Sequence, residues 1–399
     1  MDKAECDGLH VRNGEAHAYA CAYSIFLGQK MQPLRKGKIM KIKFQASSKG
    51  LFFCLLGILL GLVFVSGCGK SDSTPEFKVI YNNESQAKHT DGPGEPVRPE
   101  KYKVAFVSKI AGIPYFEVAE DGATEAAKDL GIELITSGPQ VADAEHQIEI
   151  VEQLIKEGVD AIAIAANDPK ALIPVLQKAE KQGIKVVTWD SDTLPEARTF
   201  FVNQVDYEVF GRHQMDLLAT LLNERGSFAI LTGSTTAMNL NEWSKWIRKQ
   251  LDEYYPKMKL VEIVSNNEDV EEGYKLTLDL LDRHPDIKGI IGVGSTSPPA
   301  AAKAVLERGK KGEIKVIGVA SPNLMRNYLK EDVSQVISLW SPQKLGYLTV
   351  YMVKQLLDGN LAYDGQKIPN VGNIRIKGDV VIMGEPIDFT KDNVDDYDF

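Results

Sequence analysis

Cysteine is scarce in this chain and confined to one end of it. The four cysteines of the 399 residues are Cys6, Cys21, Cys54 and Cys68. The rest of the chain therefore has no thiol from which to build a disulfide, a metal-thiolate cluster or a catalytic nucleophile. These chemistries are excluded from the main body of the protein.

Positive charge and histidine are also in short supply. The 46 Lys and Arg residues are outnumbered by 55 Asp and Glu residues, which gives a formal net charge of -9. Nucleic-acid binding needs a basic face, so we exclude it. The 6 histidines show no i, i+4 pair, which argues against a metal site. We expect no metal and no cofactor.

Catalytic motifs are missing too. The stretches around Ser234, Ser295 and Ser321 lack the Gly-x-Ser-x-Gly pattern, and no Gly-x-Gly-x-x-Gly or Walker loop follows a predicted strand. Asp190 and Asp192 lie two residues apart on an extended segment. The absence of every other catalytic motif disfavours an acid/base pair at these two positions. We therefore predict a protein that is not an enzyme and has no catalytic residues.

Residues 40–67 are typical of a bacterial secretion signal. Three lysines precede the apolar run Leu51–Val65, which leads into Val65-Ser66-Gly67-Cys68. This tetrapeptide resembles the lipobox of bacterial lipoproteins, in which the cysteine carries diacylglycerol. A transmembrane anchor is the alternative, but the run is shorter than the ~20 residues that span a bilayer. We predict lipidation of Cys68 and a periplasmic or cell-surface protein held to the membrane by that lipid.

The segments on either side of this signal lack a helix or strand pattern. Residues 1–39 show no periodicity, and we interpret them as an over-called extension that precedes a true start at Met40. Residues 68–100 are rich in Ser, Asn, Lys, Glu, Pro and Gly. Such a composition buries too little apolar surface to fold, so we predict a flexible tether.

From Lys103 onward, short apolar runs alternate with longer segments of helical period. This is the pattern of βα units on a parallel sheet. The cycle restarts after residue 203, which predicts an α/β fold with two doubly wound parallel-sheet lobes. We also expect an irregular tail that ends in a strand at 380–383. The predicted helices include one that begins at Pro169 and others over 144–157, 241–255, 270–283 and 342–357.

Polar and aromatic side chains follow nearly every predicted strand. Ligands of open α/β sheets bind beyond the carboxyl ends of the strands. Carboxylates, amides, hydroxyls and aromatic faces suit a small-molecule sugar. The candidate ligand-binding residues are Lys109, Tyr115, Phe116, Trp189, Asp190, Asp192, Asn203, Asn239, Asn241, Ser295, Ser321 and Trp340.

Several candidates have a structural alternative. Lys109 fits a solvated loop lysine, Trp340 a core residue, and Asn239 a helix cap. Asp190 follows the apolar run Val186–Trp189, where a carboxylate needs a partner, so we favour ligand contact for it.

Six short stretches point to a known family. They are Phe106–Lys109, Thr188–Thr193, Val202–Gln204, Ser321–Arg326, Leu339–Pro342 and Tyr397–Phe399. With these stretches, the chain from Lys103 to Phe399 resembles the type I periplasmic sugar-binding proteins of the ribose- and galactose-binding class. It is most similar to the branch of the rhamnose-binding and autoinducer-2-binding receptors.

This resemblance implies a hinge of three segments, near residues 203–206, near 339–342 and after about 365. The N-terminal lobe would comprise 101–203 plus about 341–365, and the C-terminal lobe 204–340 plus about 366–399. It also implies a monomer that hands its sugar to an ABC permease in the cytoplasmic membrane. An autoinducer-2-type signal receptor, or a binding partner of a chemoreceptor or sensor, is the alternative on the same fold.

The autoinducer receptors bind their ligand with a Lys and an Asp from the first lobe, which Lys109 and Asp190 match. Their second-lobe set is an adjacent Asp-Gln pair followed by a Pro and an Ala. Here those places hold Asn239-Leu240, Val293 and Ser295. Losing an acceptor and an amide changes which hydroxyls are paired, which favours a rhamnose-like or other monosaccharide.

Overall fold

A computed structural model describes residues 101–399. The first lobe starts with alternating strands and helices: β1 (Lys103–Val107), α1 (Pro114–Leu130), β2 (Glu133–Ser137), α2 (Ala144–Glu157), β3 (Ala161–Ile164), α3 (Ile173–Lys181), β4 (Lys185–Trp189) and β5 (Phe201–Asn203). A 3-10 turn at Pro195–Ala197 precedes β5. The predictions that fall on residues 1–100, including lipidation of Cys68, lie outside the described residues.

The second lobe repeats this pattern. Its elements are α4 (Tyr207–Leu222), β6 (Gly226–Thr232), α5 (Met238–Tyr254), β7 (Met258–Ser265), α6 (Val270–Arg283), β8 (Ile287–Val293), α7 (Ser297–Glu307), β9 (Lys315–Val319), α8 (Pro322–Lys330) and β10 (Val336–Leu339). The chain then forms α9 (Pro342–Leu357), β11 (Lys367–Ile368), β12 (Gly372–Asn373), β13 (Arg375–Lys377), β14 (Val380–Ile382) and β15 (Ile387–Phe389), and a 3-10 turn at Val394–Asp396.

The two lobes have separate sheets. The first sheet has the order β13-β14-β5-β4-β3-β1-β2, and the second has the order β15-β10-β9-β8-β6-β7. Strands β1 to β5 are parallel to one another, and so are β6 to β10. The predicted α/β fold with two doubly wound lobes is therefore confirmed.

The alternation of side chains along β1 explains why both faces of the first sheet are covered. Val104 and Phe106 are buried in the cluster that includes α1 and α9 residues. Ala105 and Val107 are buried on the opposite face, against α2 and α3. A parallel strand that is buried on both sides reads as a continuous apolar run, as this one does. Among the described residues, no helix is long and apolar enough to cross a membrane.

Two glycines bring α1 and α9 into close contact. A β-carbon on Gly346 would lie 1.8 Å from the carbonyl oxygen of Ala119, and one on Gly122 would lie 1.9 Å from that of Gln343. Only glycine permits this backbone approach. The contact attaches α9 to the first lobe, although α9 follows the second lobe in the chain.

The prediction that residues 366–399 belong to the C-terminal lobe is wrong for part of that segment. Strand β14 pairs in parallel with β5, with Val381 opposite Val202, and β13 pairs with β14. Only β15 joins the second sheet, next to β10. The third crossing between lobes therefore lies between Ile382 and Ile387, because the predicted strand at 380–383 pairs with the edge of β5, a partner far away in the chain.

Two predicted helix starts also shift. Helix α3 begins at Ile173 rather than Pro169, because the Asp168 carboxylate accepts hydrogen bonds from the backbone of Lys170 and Ala171 and holds a turn there. Helix α5 begins at 238 rather than 241.

Candidate functional site

The carboxyl ends of strands from both sheets surround one cavity of about 330 Å³, including its mouth. The first lobe contributes Lys109, Tyr115, Phe116 and Asp190. The second lobe contributes Asn239, Leu240, Trp243, Glu268, Gly294, Ser295, Val319 and Leu339, and Trp340 follows on the hinge segment.

Asp190 is the most heavily hydrogen-bonded side chain of this cavity. It is buried, and its Oδ1 accepts from Tyr115 Oη at 2.7 Å and from Gln204 Nε2 at 3.3 Å. Its Oδ2 accepts from Asn239 Nδ2 at 3.3 Å and lies 3.5 Å from Lys109 Nζ. The backbone of Asp190 is left-handed, with φ of 59°, a conformation that Asp tolerates better than most residues. The turn aims the carboxylate at the second lobe.

Lys109 links the two lobes electrostatically. Its Nζ lies 3.5 Å from Asp190 in the first lobe and 3.6 Å from Glu268 in the second. The same ammonium group lies 5.7 Å from the centre of the Phe116 ring, within the range of a cation–π contact. Lys109 is only 4% exposed, so the alternative of a solvated loop lysine is wrong.

Aromatic rings form one wall of the cavity. Tyr115 meets Phe116 edge-on at 5.0 Å and Trp340 edge-on at 6.2 Å, and Trp243 lies 5.6 Å from Trp340. Trp340 is 2% exposed and lines the cavity, so it is both a core residue and a wall residue. Burial, and then the neighbouring charge of Asp190, raise the pKa of Tyr115 well above 10. The hydroxyl therefore stays protonated as a donor to Asp190.

Asn239 is not the N-cap residue of α5. That position is Ala237, and the backbone N–H groups of Thr236 and Ala237 donate to Ser234 Oγ. Asn239 lies in the first turn of α5 and is buried. Its Nδ2 donates to Asp190, and its Oδ1 accepts from the backbone N–H of Leu240 at 3.0 Å. Seven of the predicted residues thus line the cavity, and they are Lys109, Tyr115, Phe116, Asp190, Asn239, Ser295 and Trp340.

Trp189 and Asp192 are predicted ligand contacts that the structure instead places inside the first lobe. Trp189 stacks on Phe106 at 4.1 Å, and its Nε1 donates to the Val107 carbonyl at 3.2 Å. Asp192 accepts from Arg198 Nε and Nη2, both at 2.8 Å. Burial raises the pKa of Asp192, against the lowering effect of Arg198. Trp189 points to the opposite face of the strand from Asp190. Asp192 lies beyond the left-handed turn at Asp190, where its carboxylate faces Arg198 instead of the cavity.

Asn203, Asn241 and Ser321 do not line the cavity either. Asn203 ends β5 at the first crossing, where its Oδ1 accepts from the Val205 backbone at 3.4 Å. Asn241 is exposed, and its Nδ2 donates to the Thr235 carbonyl at 3.0 Å. Ser321 is buried at the N-terminus of α8, and its Oγ has no hydrogen-bond partner among residues 101–399. Their polar groups serve local structure or lie outside the cavity lining, which corrects the prediction for them.

Six cavity residues were not predicted, and Glu268 and Trp243 are the two among them with polar side-chain groups. Glu268 follows the end of β7, so the same strand-end rule that selects Asp190 would have found it. Trp243 lies one helical turn after Asn239 on α5, and i, i+4 neighbours share a helix face. Across residues 101–399, no three His, Cys, Asp or Glu side chains form a metal-binding group.

The fold and the cavity agree with a known family. Residues 104–361 match the family described as periplasmic binding protein domain. The chain belongs to this family. Among curated periplasmic binding proteins, the D-ribose/D-allose-binding protein of Pseudomonas aeruginosa is 32% identical over 241 residues, which cover 58% of this chain and 75% of that protein.

Two solved structures are similar in both sequence and fold. One is an ABC transporter solute-binding protein from Clostridium phytofermentas with bound L-rhamnose, at 29% identity and a TM-score of 0.71, covering 74% of this chain and 98% of that one. The other is LsrB from Clostridium saccharobutylicum in complex with AI-2, at 28% identity and a TM-score of 0.70, covering 74% and 100%. The family predicted from the sequence is confirmed.

Proposed function

We propose that this periplasmic binding protein captures a monosaccharide in the cavity between its lobes and delivers it to an ABC-type sugar importer. The observation that carries the proposal is the convergence of buried polar groups from both lobes on Asp190, beside an aromatic wall. Carboxylate, amide and ammonium groups pair with sugar hydroxyls, and aromatic faces cover the C–H patches of the ring. The named ligands of its relatives are sugars or AI-2.

Capture would proceed by closure about the three crossing segments. Contacts that join the lobes, such as Asn239 to Asp190 and Lys109 to Glu268, exist only when the lobes are together. A sugar that contacts both lobes therefore stabilises the closed form over an open one. The closed form, as a monomer, would dock on the permease.

The apolar side chains that the second lobe contributes to the cavity favour a sugar with an apolar edge. Leu240, Val319 and Leu339 line the cavity together with Trp243. A methyl or deoxy carbon of the sugar would be buried against these side chains, since the removal of apolar surface from water is favourable. A rhamnose-like deoxyhexose is our first choice among monosaccharides.

Isothermal titration calorimetry of the purified chain tests the proposal. The panel is L-rhamnose, D-ribose, D-allose, D-arabinose, D-galactose, D-glucose and AI-2. We expect saturable heat with at least one monosaccharide. Heat from AI-2 alone would favour the signal-receptor alternative, and no heat from any compound would overturn the proposal.

The lipid anchor is a separate part of the proposal. Cys68 would carry diacylglycerol and hold the protein at the outer face of a membrane, within reach of the permease. Metabolic labelling with radioactive palmitate should mark the wild-type chain and not Cys68→Ser. Equal labelling of both chains would contradict the anchor without affecting sugar capture.

A further inference from the structure

Glu268 is a buried carboxylate of the second lobe that the predicted ligand set does not include. It is 8% exposed, lines the cavity, and its Oε1 lies 3.6 Å from Lys109 Nζ. It is thus the second-lobe counterpart of Asp190, which contacts the same ammonium group from the first lobe.

The backbone around Glu268 is shaped to hold it there. Asn267 and Glu268 both have left-handed φ angles, 51° and 58°, which residues other than glycine rarely adopt. The Glu268 backbone N–H donates to the Gly233 carbonyl at 2.8 Å. A β-carbon on Gly233 would lie 2.6 Å from the Glu268 carboxyl carbon. Two left-handed φ angles and a glycine that leaves room for the carboxylate therefore accompany Glu268, and local backbone strain of this kind clusters at functional sites.

Glu268 also compensates for a carboxylate that is missing elsewhere in the cavity. The resemblance to the autoinducer receptors implies an Asp where this chain has Asn239. Asn239 donates its amide to Asp190, so it does not replace the lost acceptor. Glu268 returns a carboxylate to the second lobe from the neighbouring loop.

The cavity therefore has an unbalanced charge. Its lining contains two carboxylates, Asp190 and Glu268, and a single ammonium group, that of Lys109. A sugar hydroxyl donates to either carboxylate, and an amino group does so more strongly. A ligand carboxylate would be buried against two fixed negative charges that share one cation, which is unfavourable.

We propose that Glu268 is a ligand-binding acceptor and that, with Asp190, it restricts the site to neutral monosaccharides and amino sugars and excludes sugar acids. This inference rests on the proposed function. It assigns to Glu268 a role in specificity that is separate from the presence of a sugar site.

Calorimetry with matched sugars tests the exclusion of acids. The full chain is titrated with the tightest neutral sugar of the panel and with glucose, glucosamine and glucuronate, and then galactose, galactosamine and galacturonate. We expect both acids to bind at least about 100-fold more weakly than the tightest neutral sugar, because a buried charge without a partner is strongly disfavoured. An acid that binds within tenfold of that sugar would overturn the proposal.

Glu268→Gln tests the residue itself. The substitution keeps the shape of the side chain and an acceptor oxygen. We expect about tenfold weaker binding of the neutral sugar, which corresponds to the loss of one charged hydrogen bond. We also expect a smaller difference in affinity between the neutral sugar and the sugar acids. Glu271→Gln is the control, since Glu271 is exposed nearby on α6 and pairs with Lys303. Glu268→Asp provides a second variant if the first does not fold.

The outcomes separate this inference from the function on which it rests. If no sugar binds the wild-type chain, the proposed function fails. If a sugar binds wild type, Glu268→Gln and Glu271→Gln equally well, the function stands and the role of Glu268 is refuted.

Discussion

The hydroxyl of Tyr115 donates a 2.7 Å hydrogen bond to Asp190 and accepts one of 3.0 Å from Trp340 Nε1. Trp340 lies between β10 and α9, on the second crossing between the lobes. The three side chains therefore connect a hinge segment to the main acceptor of the first lobe. The orientation of Asp190 and the conformation of the hinge are coupled through one hydroxyl group.

Asp190→Asn should abolish most sugar binding and leave the fold intact. Asn tolerates the left-handed φ of residue 190, and Lys109 keeps its contact with Glu268. Loss of a charged acceptor should weaken binding at least tenfold, at about 1.5–3 kcal/mol for a charged hydrogen bond. Calorimetry measures the sugar affinity, and thermal unfolding measures the stability of the fold. Unchanged affinity would show that Asp190 does not touch the ligand.

Asp192→Asn should destabilise the fold and leave sugar affinity nearly unchanged, although it changes a carboxylate only two residues from Asp190. Asp192 forms a bidentate pair with buried Arg198, and breaking such a pair costs about 3 kcal/mol of unfolding free energy. Urea denaturation measures that loss, while calorimetry should show near-normal affinity. Asp168→Asn, on the loop after β3, is the control because an amide oxygen still accepts from Lys170 and Ala171. A loss of sugar affinity in Asp192→Asn without a loss of stability would show that Asp192 contacts the ligand.

Thr236→Val should weaken closure without touching the cavity. Thr236 Oγ1 in the second lobe donates to the Asn167 carbonyl in the first at 2.7 Å. Removing this bond should raise the sugar Kd about fivefold, in line with about 1 kcal/mol for one hydrogen bond. Small-angle scattering should show a larger radius of gyration before sugar is added. Thr220→Val, whose hydroxyl bonds within α4, should change neither quantity.

Gly346→Ala should destabilise the first lobe. The added methyl would collide with the Ala119 carbonyl where α9 crosses α1. Overpacking of this kind costs about 3 kcal/mol, because the helices must separate. Urea denaturation measures the loss. Gly384→Ala is the matched control, since its methyl would meet no atom within 4 Å; equal stability of the two variants would contradict the close packing.

Unfolding free energy should fall as the pH rises above about 10. Burial raises the pKa of Tyr115 and of Tyr207 well above 10, whereas the unfolded chain ionises near pH 10. Below that pH both states hold the protons, and above it only the unfolded state releases them, so stability is lost. Urea denaturation at pH 8 and pH 11 measures the decrease.

Tyr207→Phe should reduce that alkaline loss. Tyr207 Oη is buried and has no hydrogen-bond partner among residues 101–399, so its removal should be neutral or stabilising at pH 8. Tyr254→Phe, on a side chain that is 60% exposed, should leave the pH dependence as in wild type. A steeper alkaline loss in Tyr207→Phe would contradict the burial argument.

Local patterns were enough to predict most of the secondary structure. The bounds of α2, α6 and α9 agree with the prediction to the residue, because their apolar spacing and their first-turn Asp or Pro signals lie within one stretch of chain. Asp190 could also be predicted as a site residue from the local sequence, because it directly follows a buried apolar strand. The short strands β11 to β13 and β15 were missed, since two or three residues carry no measurable period.

The two α/β lobes and the strand ends where a ligand site forms follow from the amino-acid sequence, because βα periodicity and strand-end polarity are local properties. The long-range packing of the folded chain places β14 next to β5 in the first sheet. The tertiary structure also pairs Asp192 with Arg198, while Glu268 reaches Lys109 across the lobes. The pairing of β14 and the contact of Glu268 depend on residues far apart in the chain. The pair of Asp192 with Arg198 depends on the direction of a side chain after the left-handed turn at Asp190, which the apolar periodicity of the strand does not encode.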